Sequence, residues 1–376
     1  ISLQTGRLNI SQTLQGWSCS SACSPSQHCR LPRCTNVVFP KTFSGSGTVN
    51  IYVTVSHGEK FSRVHSPSAM WVQSVTTRDF DVCARESGIG SNGTGIINWL
   101  AFQDYPQMTR GSVSFSGIWT TETKCEKVTF SQNFPGRPSV FASARYTRDT
   151  KPNDAMYVWL ENVNSKSFEV CIREFLPFDG KHQDTIVDWF AFVANGSESN
   201  FTLSGEADFP NSNLPTAEDN YGFCQQVQFN TTFYASPVVL VSVHHLYNPQ
   251  EVSLTSMRIC VKDLSGTGSK HDPLSVNYVV VGDLNPCLDV FCPSFGVCKT
   301  YSAHEARCVC DDNCPSYQDP VCTENGTTYD NECLYKLNFC KGMDNNTLST
   351  NGGNDGKSED DEMVVRNELC RCDFSK

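Results

Sequence analysis

The chain has 376 residues, 20 of them cysteine, and a formal net charge of −11. That length exceeds one compact core and divides into roughly two to four domains. The negative balance repels nucleic-acid phosphate, so nucleic-acid binding is not expected; twenty cysteines argue for an oxidising compartment, and no apolar run is long enough to cross a bilayer as a helix.

Zinc knuckles need paired Cys-x-x-Cys spacings. Cys308-Val309-Cys310 and Cys370-Arg371-Cys372 have the wrong spacing, so neither metal nor cofactor is expected. The chain opens at Ile1 with no apolar signal stretch, which reads as a mature secreted protein whose signal peptide has been removed. The abrupt end at Lys376 leaves room for further chain. Asn-x-Ser/Thr sequons begin at Asn9, Asn92, Asn195, Asn200, Asn230, Asn325 and Asn345, mostly in Gly/Ser/Asn-rich surroundings, and predict surface glycans. The acidic run Ser358-Glu359-Asp360-Asp361-Glu362 reads as a solvated loop, with weak calcium binding as the sharper alternative.

In chain order, the first elements are three copies of one pattern. Cys34-Thr-Asn-Val37-Val-Phe39 leads to Phe43, Cys125-Glu-Lys-Val128-Thr-Phe130 to Phe134, and Cys224-Gln-Gln-Val227-Gln-Phe229 to Phe233. A fixed Cys-x-x-Val-x-Phe-x-x-x-Phe at domain spacing is an internal repeat. Each copy continues into alternating β-branched and aromatic residues, such as Pro138-Ser-Val140-Phe and Pro237-Val238-Val-Leu240-Val, which predict half-buried strands. A second cysteine follows as Phe80-Asp-Val-Cys83, Phe168-Glu-Val-Cys171 and Cys260, then a strand at Ile97-Asn-Trp99, Val187-Asp-Trp189 and Val276-Asn-Tyr278. The expected pairs are Cys34–Cys83, Cys125–Cys171 and Cys224–Cys260, each worth about 3–4 kcal/mol in the chain-entropy model. The third repeat is shorter between its cysteines and is expected to have lost a strand or hairpin. The fold class is all-β: three tandem antiparallel sandwiches at 1–107, 108–200 and 201–284, with no long amphipathic helix.

Gln4-Thr5-Gly6-Arg7-Leu8 precedes Gly16-Trp17, Arg110-Gly111-Ser112-Val113 precedes Trp119, and Ser204-Gly205-Glu206 opens the third copy. With the Pro-x-Val and Asn/Asp-Trp strands, this set resembles the H-type lectin domain of invertebrate agglutinins, over residues 1 to about 283. The resemblance implies a small antiparallel β-sandwich, trimer formation and binding of N-acetylgalactosamine. That family grips sugar with a strand arginine and a Trp-His pair after the second cysteine. Here the arginine region reads Ala69-Met70-Trp71 and Ala155-Met156-Tyr157, and the cysteines are followed by Arg85-Glu86 and Arg173-Glu174-Phe175. The fold is therefore carried over and the sugar specificity is not. Trp71, Tyr157, Arg85 and Arg173 remain candidate glycan contacts, set against packing or inter-domain contact for the aromatics and a rim ion pair for each Arg-Glu. Trp99 and Trp189, among apolar neighbours in a strand, read as core.

Composition changes at Asn285-Pro286. Cys287-x4-Cys292-x5-Cys298-x9-Cys308-x-Cys310 is a tight hairpin framework over 285–310, and Cys314-x7-Cys322-x6-Tyr329-x3-Cys333-x6-Cys340 follows within 310–376. The second spacing matches the Kazal signature, tyrosine included. Together the two resemble a follistatin-like module, an EGF-like hairpin joined to a Kazal domain. The resemblance implies the pairs Cys287–Cys298, Cys292–Cys308, Cys310–Cys340, Cys314–Cys333 and Cys322–Cys370 (or Cys372). It also implies a protease-binding loop with Ser316–Tyr317 as the scissile bond, although serine is a poor anchor for the deep pockets of trypsin-like and chymotrypsin-like enzymes. The polar insertion 341–368 reads as a solvated loop.

Cys19, Cys23, Cys29 and one of Cys370/Cys372 are left over, and a head-to-tail disulfide between copies would make an oligomer or filament. The other reading pairs Cys372 with chain beyond Lys376. No phosphate loop, His-x-x-x-His or Gly-x-Ser-x-Gly is present, so no enzyme is expected. The leading reading is a secreted structural or adhesive glycoprotein that self-associates or meets extracellular glycans and matrix proteins. A multivalent lectin is second and a Kazal-type serine protease inhibitor third.

Overall fold

A computed structural model describes residues 2–9, 33–44, 46–57, 68–86, 95–103, 108–116, 123–147, 155–174, 182–193, 201–210, 222–243, 249–252, 254–262, 273–323 and 327–342. The chain forms two compact units, Ile1–Gly282 and Asp283–Lys376.

The described elements of the first unit are all β-strands. Repeat 1 supplies β1 (Ser2–Asn9), β2 (Arg33–Val38), β3 (Asn50–His57), β4 (Ser68–Gln73), β5 (Asp79–Glu86) and β6 (Gly95–Gln103). Repeat 2 supplies β7 (Thr109–Phe115), β8 (Lys124–Thr129), β9 (Ser139–Arg145), β10 (Met156–Glu161), β11 (Ser167–Glu174) and β12 (Thr185–Phe192). Repeat 3 supplies β13 (Leu203–Phe209), β14 (Gly222–Gln228), β15 (Val238–Val243), β16 (Pro249–Val252), β17 (Ser256–Lys262) and β18 (Leu274–Val281). In each repeat the first, sixth and third strands are hydrogen-bonded neighbours, and so are the second, fifth and fourth. The third repeat has therefore lost no strand, contrary to the sequence expectation. Its cysteines stand 36 residues apart, against 49 and 46: five residues separate its third and fourth strands where the other repeats have ten, and β16 itself is cut to four residues with an irregular register.

The repeated motif has a structural reason. Its cysteine lies on the second strand, directly opposite the second cysteine on the fifth: Cys34 faces Cys83, Cys125 faces Cys171 and Cys224 faces Cys260. All three facing pairs are disulfide-bonded. The two phenylalanines then turn the chain. Phe39 and Phe43 donate backbone N–H bonds of 2.9 Å to Arg78 and Thr77; Phe130 and Phe134 do the same to Lys166 and Ser165 at 2.9 Å; Phe229 and Phe233 bond Thr255 and Leu254 at 2.7 and 3.0 Å. Each ring pair meets edge to face, at 4.8, 4.8 and 5.5 Å between centroids, a geometry the aromatic quadrupole favours.

Glycine explains a second recurring position. Gly6, Gly111 and Gly205 lie directly opposite Trp99, Trp189 and Tyr278. A Cβ on each would fall 2.5, 2.7 and 2.3 Å from the facing side chain. The strand is bare there so that the aromatic ring can lie across it.

The three repeats close on one another. β4 pairs in parallel with β9, Trp71 opposite Ala144, which joins repeat 1 to repeat 2. β3 pairs in parallel with β16, joining repeat 1 to repeat 3. β10 approaches β15 at the remaining junction. Fourth strand meets third strand at every junction, so one chain builds a cyclic, three-fold-like arrangement. Its shared core takes Tyr52, Phe141 and Leu240 from the same position of the three third strands, with Leu100, Phe190 and Val279 from the sixth.

The second unit is small and cross-linked. Among the described residues β19 (Val297–Ser302) and β20 (Glu305–Val309) form a hairpin, β21 (Val321–Cys322) and β22 (Thr328–Tyr329) a short ladder, and the helix α1 (Glu332–Lys341) follows. The disulfides Cys287–Cys298, Cys292–Cys308, Cys310–Cys340 and Cys314–Cys333 supply the constraint that so small a core cannot.

Candidate functional site

The best-defined polar site lies at the start of α1. Asn331 is 1% exposed and adopts extended backbone geometry as the N-cap. Its Oδ1 accepts from the Leu334 N–H at 3.0 Å, satisfying one of the orphan donors of the first turn. Its Nδ2 donates to the Pro315 carbonyl at 3.0 Å and to the Tyr317 carbonyl at 3.1 Å. One side-chain amide thus starts the helix and grips the exposed loop on both sides of Ser316. Cys314–Cys333 ties the same loop to α1. Pro315, Ser316 and Tyr317 are exposed, Tyr317 at 61%. The loop is held from behind and presented in front. Sequence reasoning named Ser316 and Tyr317 and missed Asn331; an asparagine just before Glu332 is an N-cap signal, but its reach back to the loop is a long-range contact with no local signature.

The candidate glycan contacts are not brought together. Trp71 is 0% exposed and packs within the core of repeat 2, filling the β4–β9 junction. Tyr157 and Arg85 are each 5% exposed. Burial removes these three from any surface contact with sugar; Arg173 alone of the four is exposed. The pairing of Trp71 with Tyr157 also needs correction. Trp71 lies opposite Cys83, and the residue opposite Cys171 is Trp159. Nor do Arg173 and Glu174 form a rim pair. Neighbouring strand residues point to opposite faces, and Glu174 is buried, 3.6 Å from His182.

Polar groups collect instead where repeats meet. Arg145 donates to Asp188 through Nε and Nη2, at 2.5 and 3.2 Å, and Ser112 donates to the same carboxylate at 2.6 Å. At the equivalent position of repeat 1, Asn98 donates to Ser56 at 3.0 Å. Arg145 and Thr147 of repeat 2 face Ser74 and Thr76 of repeat 1 across a groove of about 370 Å³. Arg137 and Asn162 of repeat 2 face Asp208 and Ser275 of repeat 3 across one of about 490 Å³. Thr54, Ser143 and Ser242, one from each third strand, line a smaller cavity of about 100 Å³. Nearby, burial pushes the Tyr52 phenol well above its ordinary range; the Asp188 charge adds to this, and Arg110 and Arg145 offset part of it.

Of the sequon asparagines, Asn9 and Asn230 are exposed. Asn92, Asn195, Asn200, Asn325 and Asn345 lie outside the described residues, as do Cys19, Cys23, Cys29, Cys370 and Cys372. The expected pair of Cys322 with Cys370 (or Cys372) therefore falls outside the described residues.

Comparison with known proteins agrees with the geometry of the second unit. Residues 309–352 match the Kazal-type serine protease inhibitor domain. A 70-residue stretch is 33% identical to Tomoregulin-1 of Xenopus laevis, covering 19% of this chain and 19% of that protein. Tomoregulin-1 of Rattus norvegicus and of Homo sapiens are each 34% identical over 70 residues, covering 19% of this chain and 18% of theirs. The chain thus spans under a fifth of the length of these relatives. No solved structure matches it. A Kazal-type module and seven disulfides among the described residues fit an extracellular protein.

Proposed function

We propose that the chain is a secreted recognition protein that binds rather than catalyses, in which a three-repeat β unit carries a Kazal-type module directed at serine proteases. The observation that carries this reading is the double hydrogen bond from Asn331 to the carbonyls flanking Ser316. A loop that enters a protease cleft as a substrate, yet resists turnover, has to be rigid before it binds. Bracing both sides of the Ser316–Tyr317 bond does this: less ordering entropy is lost on binding, and the two ends stay together if the bond is cut. Serine next to that bond suits a small specificity pocket of the elastase type rather than the acidic pocket that selects arginine and lysine. This places inhibition ahead of the structural reading that leads from the sequence alone. At two of the three junctions the third and fourth strands, the obvious surfaces for assembly between copies, already pair within the chain.

The test is titration of the whole secreted chain against elastase-type, chymotrypsin-type and trypsin-type proteases. Stoichiometric inhibition of the elastase type is expected, and Ser316→Arg moves the preference to trypsin. Absence of inhibition and of binding across all three sinks the reading. Multivalent glycan binding is the second reading, favoured by the polar grooves at two repeat junctions. Glycan-array binding that is lost on Arg137→Ala would support it.

A further inference from the structure

Among the described residues the second strand of each repeat stands at the end of its sheet: β2 ends one six-stranded sheet, β14 ends the other, and β8 ends a three-stranded one. Such an edge is a template for pairing with another copy unless something blunts it, usually charge or proline. The structural alignment set by the facing cysteines shows what each repeat uses. Repeat 2 places Lys124, Glu126 and Lys127 on β8, the last two exposed. Repeat 1 closes its edge with an exposed Pro40, one residue after Phe39. Repeat 3 has neither. The exposed positions of β14 are Gln225, Gln226 and Gln228, uncharged side chains that themselves ladder well between strands.

What repeat 3 has instead is Asn230. It occupies the position of Pro40 and of Ser131 in the other repeats, two residues beyond β14, and it is exposed. It opens Asn230-Thr231-Thr232, and neither Pro40 nor Ser131 opens a sequon. We propose that Asn230 carries an N-linked glycan whose task is to cover the β14 edge, taking the place of the charges of β8 and the proline that follows β2. In the transfer, the Asn230 amide nitrogen bonds to the anomeric carbon of an oligosaccharide carried on a lipid diphosphate. The carbon–oxygen bond to the diphosphate breaks, the lipid diphosphate departs, and the amide releases one proton, with no change in oxidation state. The bulky, hydrated product stands beside an edge that a second β14 would otherwise approach, and the occluded partner is a second copy of this chain.

The experiment uses the whole chain secreted from a eukaryotic host. Glycopeptide mass spectrometry is expected to find Asn230 occupied. Light scattering coupled to size exclusion then compares the wild type with Asn230→Gln and with Asn230→Gln/Gln226→Lys. The single variant is expected to gain weight-average mass with rising concentration, and the added lysine to return it to the wild-type value. If Asn230→Gln is not secreted, enzymatic deglycosylation of purified wild-type protein gives the same readout on a folded chain. An unoccupied Asn230 overturns the proposal. So does a glycan-free protein whose mass matches the wild type at every concentration.

Discussion

At the scale of single residues, the contact of Gly111 with Trp189 makes a sharp test of why the repeats look alike. A Cβ at Gly111 would sit 2.7 Å from the indole, whereas one at Gly136 meets nothing within 4 Å. Gly111→Ala is expected to cost about 1–3 kcal/mol through overpacking, and Gly136→Ala to stay within about 0.5 kcal/mol of wild type. Urea unfolding followed by tryptophan fluorescence measures both; equal effects would mean that the glycine is there for some other reason. The glycine near the start of each repeat is visible in the sequence, but the ring that demands it lies 73 to 93 positions away, opposite it in the register. A motif can be read locally while its cause is remote.

At the scale of elements, Asn331 joins a helix to a loop through different atoms of one amide. Asn331→Asp keeps the acceptor and removes the donors. A carboxylate still accepts from Leu334, but it cannot donate to Pro315 or Tyr317, and at a position 1% exposed its charge faces their two carbonyl oxygens. Inhibition is expected to weaken about 10- to 100-fold, the worth of one or two lost hydrogen bonds, and the second unit to lose stability as well. An inhibition constant unchanged from wild type would show that the fork does not act through the loop. How much of these elements the sequence discloses depends on what sets them. The second and fifth strands are readable because cysteine, valine and phenylalanine recur at a fixed spacing. The fourth strand is not. Ala69-Met70-Trp71 and Ala155-Met156-Tyr157 look alike by chance and are offset by two residues, since the register is set across the sheet, by Trp71 against Cys83 and Trp159 against Cys171. The survival of β16 in repeat 3 is likewise hidden, because four residues with no alternation carry no periodic signal.

At the scale of the whole molecule, the shared core of the first unit gives stability a pH dependence. The Tyr52 hydroxyl is buried without a hydrogen-bond partner among the described residues, and its pKa is raised well above the ordinary value. Below about pH 10 the phenol is neutral in both states and this group exerts no pull. As pH rises beyond that, the unfolded chain releases the proton and the folded chain retains it, so the unfolded state is favoured and stability falls. Tyr52→Phe is expected to flatten this alkaline loss and, at neutral pH, to be neutral or to gain about 1 kcal/mol by removing an unsatisfied hydroxyl. Urea midpoints of both proteins at about pH 8 and about pH 10.5 decide it; parallel slopes would exclude Tyr52 as the source. The sequence marks Tyr52 only as one aromatic in a strand. Its isolation arises where three repeats converge, which no single repeat encodes.

The closure of three repeats within one polypeptide has an evolutionary consequence. In a ring of identical chains, any substitution appears at every junction at once, so an interface improved for one purpose is altered for all. Here each junction has its own genetic address. One position holds Asp188 clamped by Arg145 in repeat 2 and Asn98 bonded to Ser56 in repeat 1, and one edge is blunted by Pro40 in repeat 1 and charged residues in repeat 2. Joining the copies has released them from symmetry, so that each of the three faces is free to drift toward a different ligand while the other two keep the ring intact.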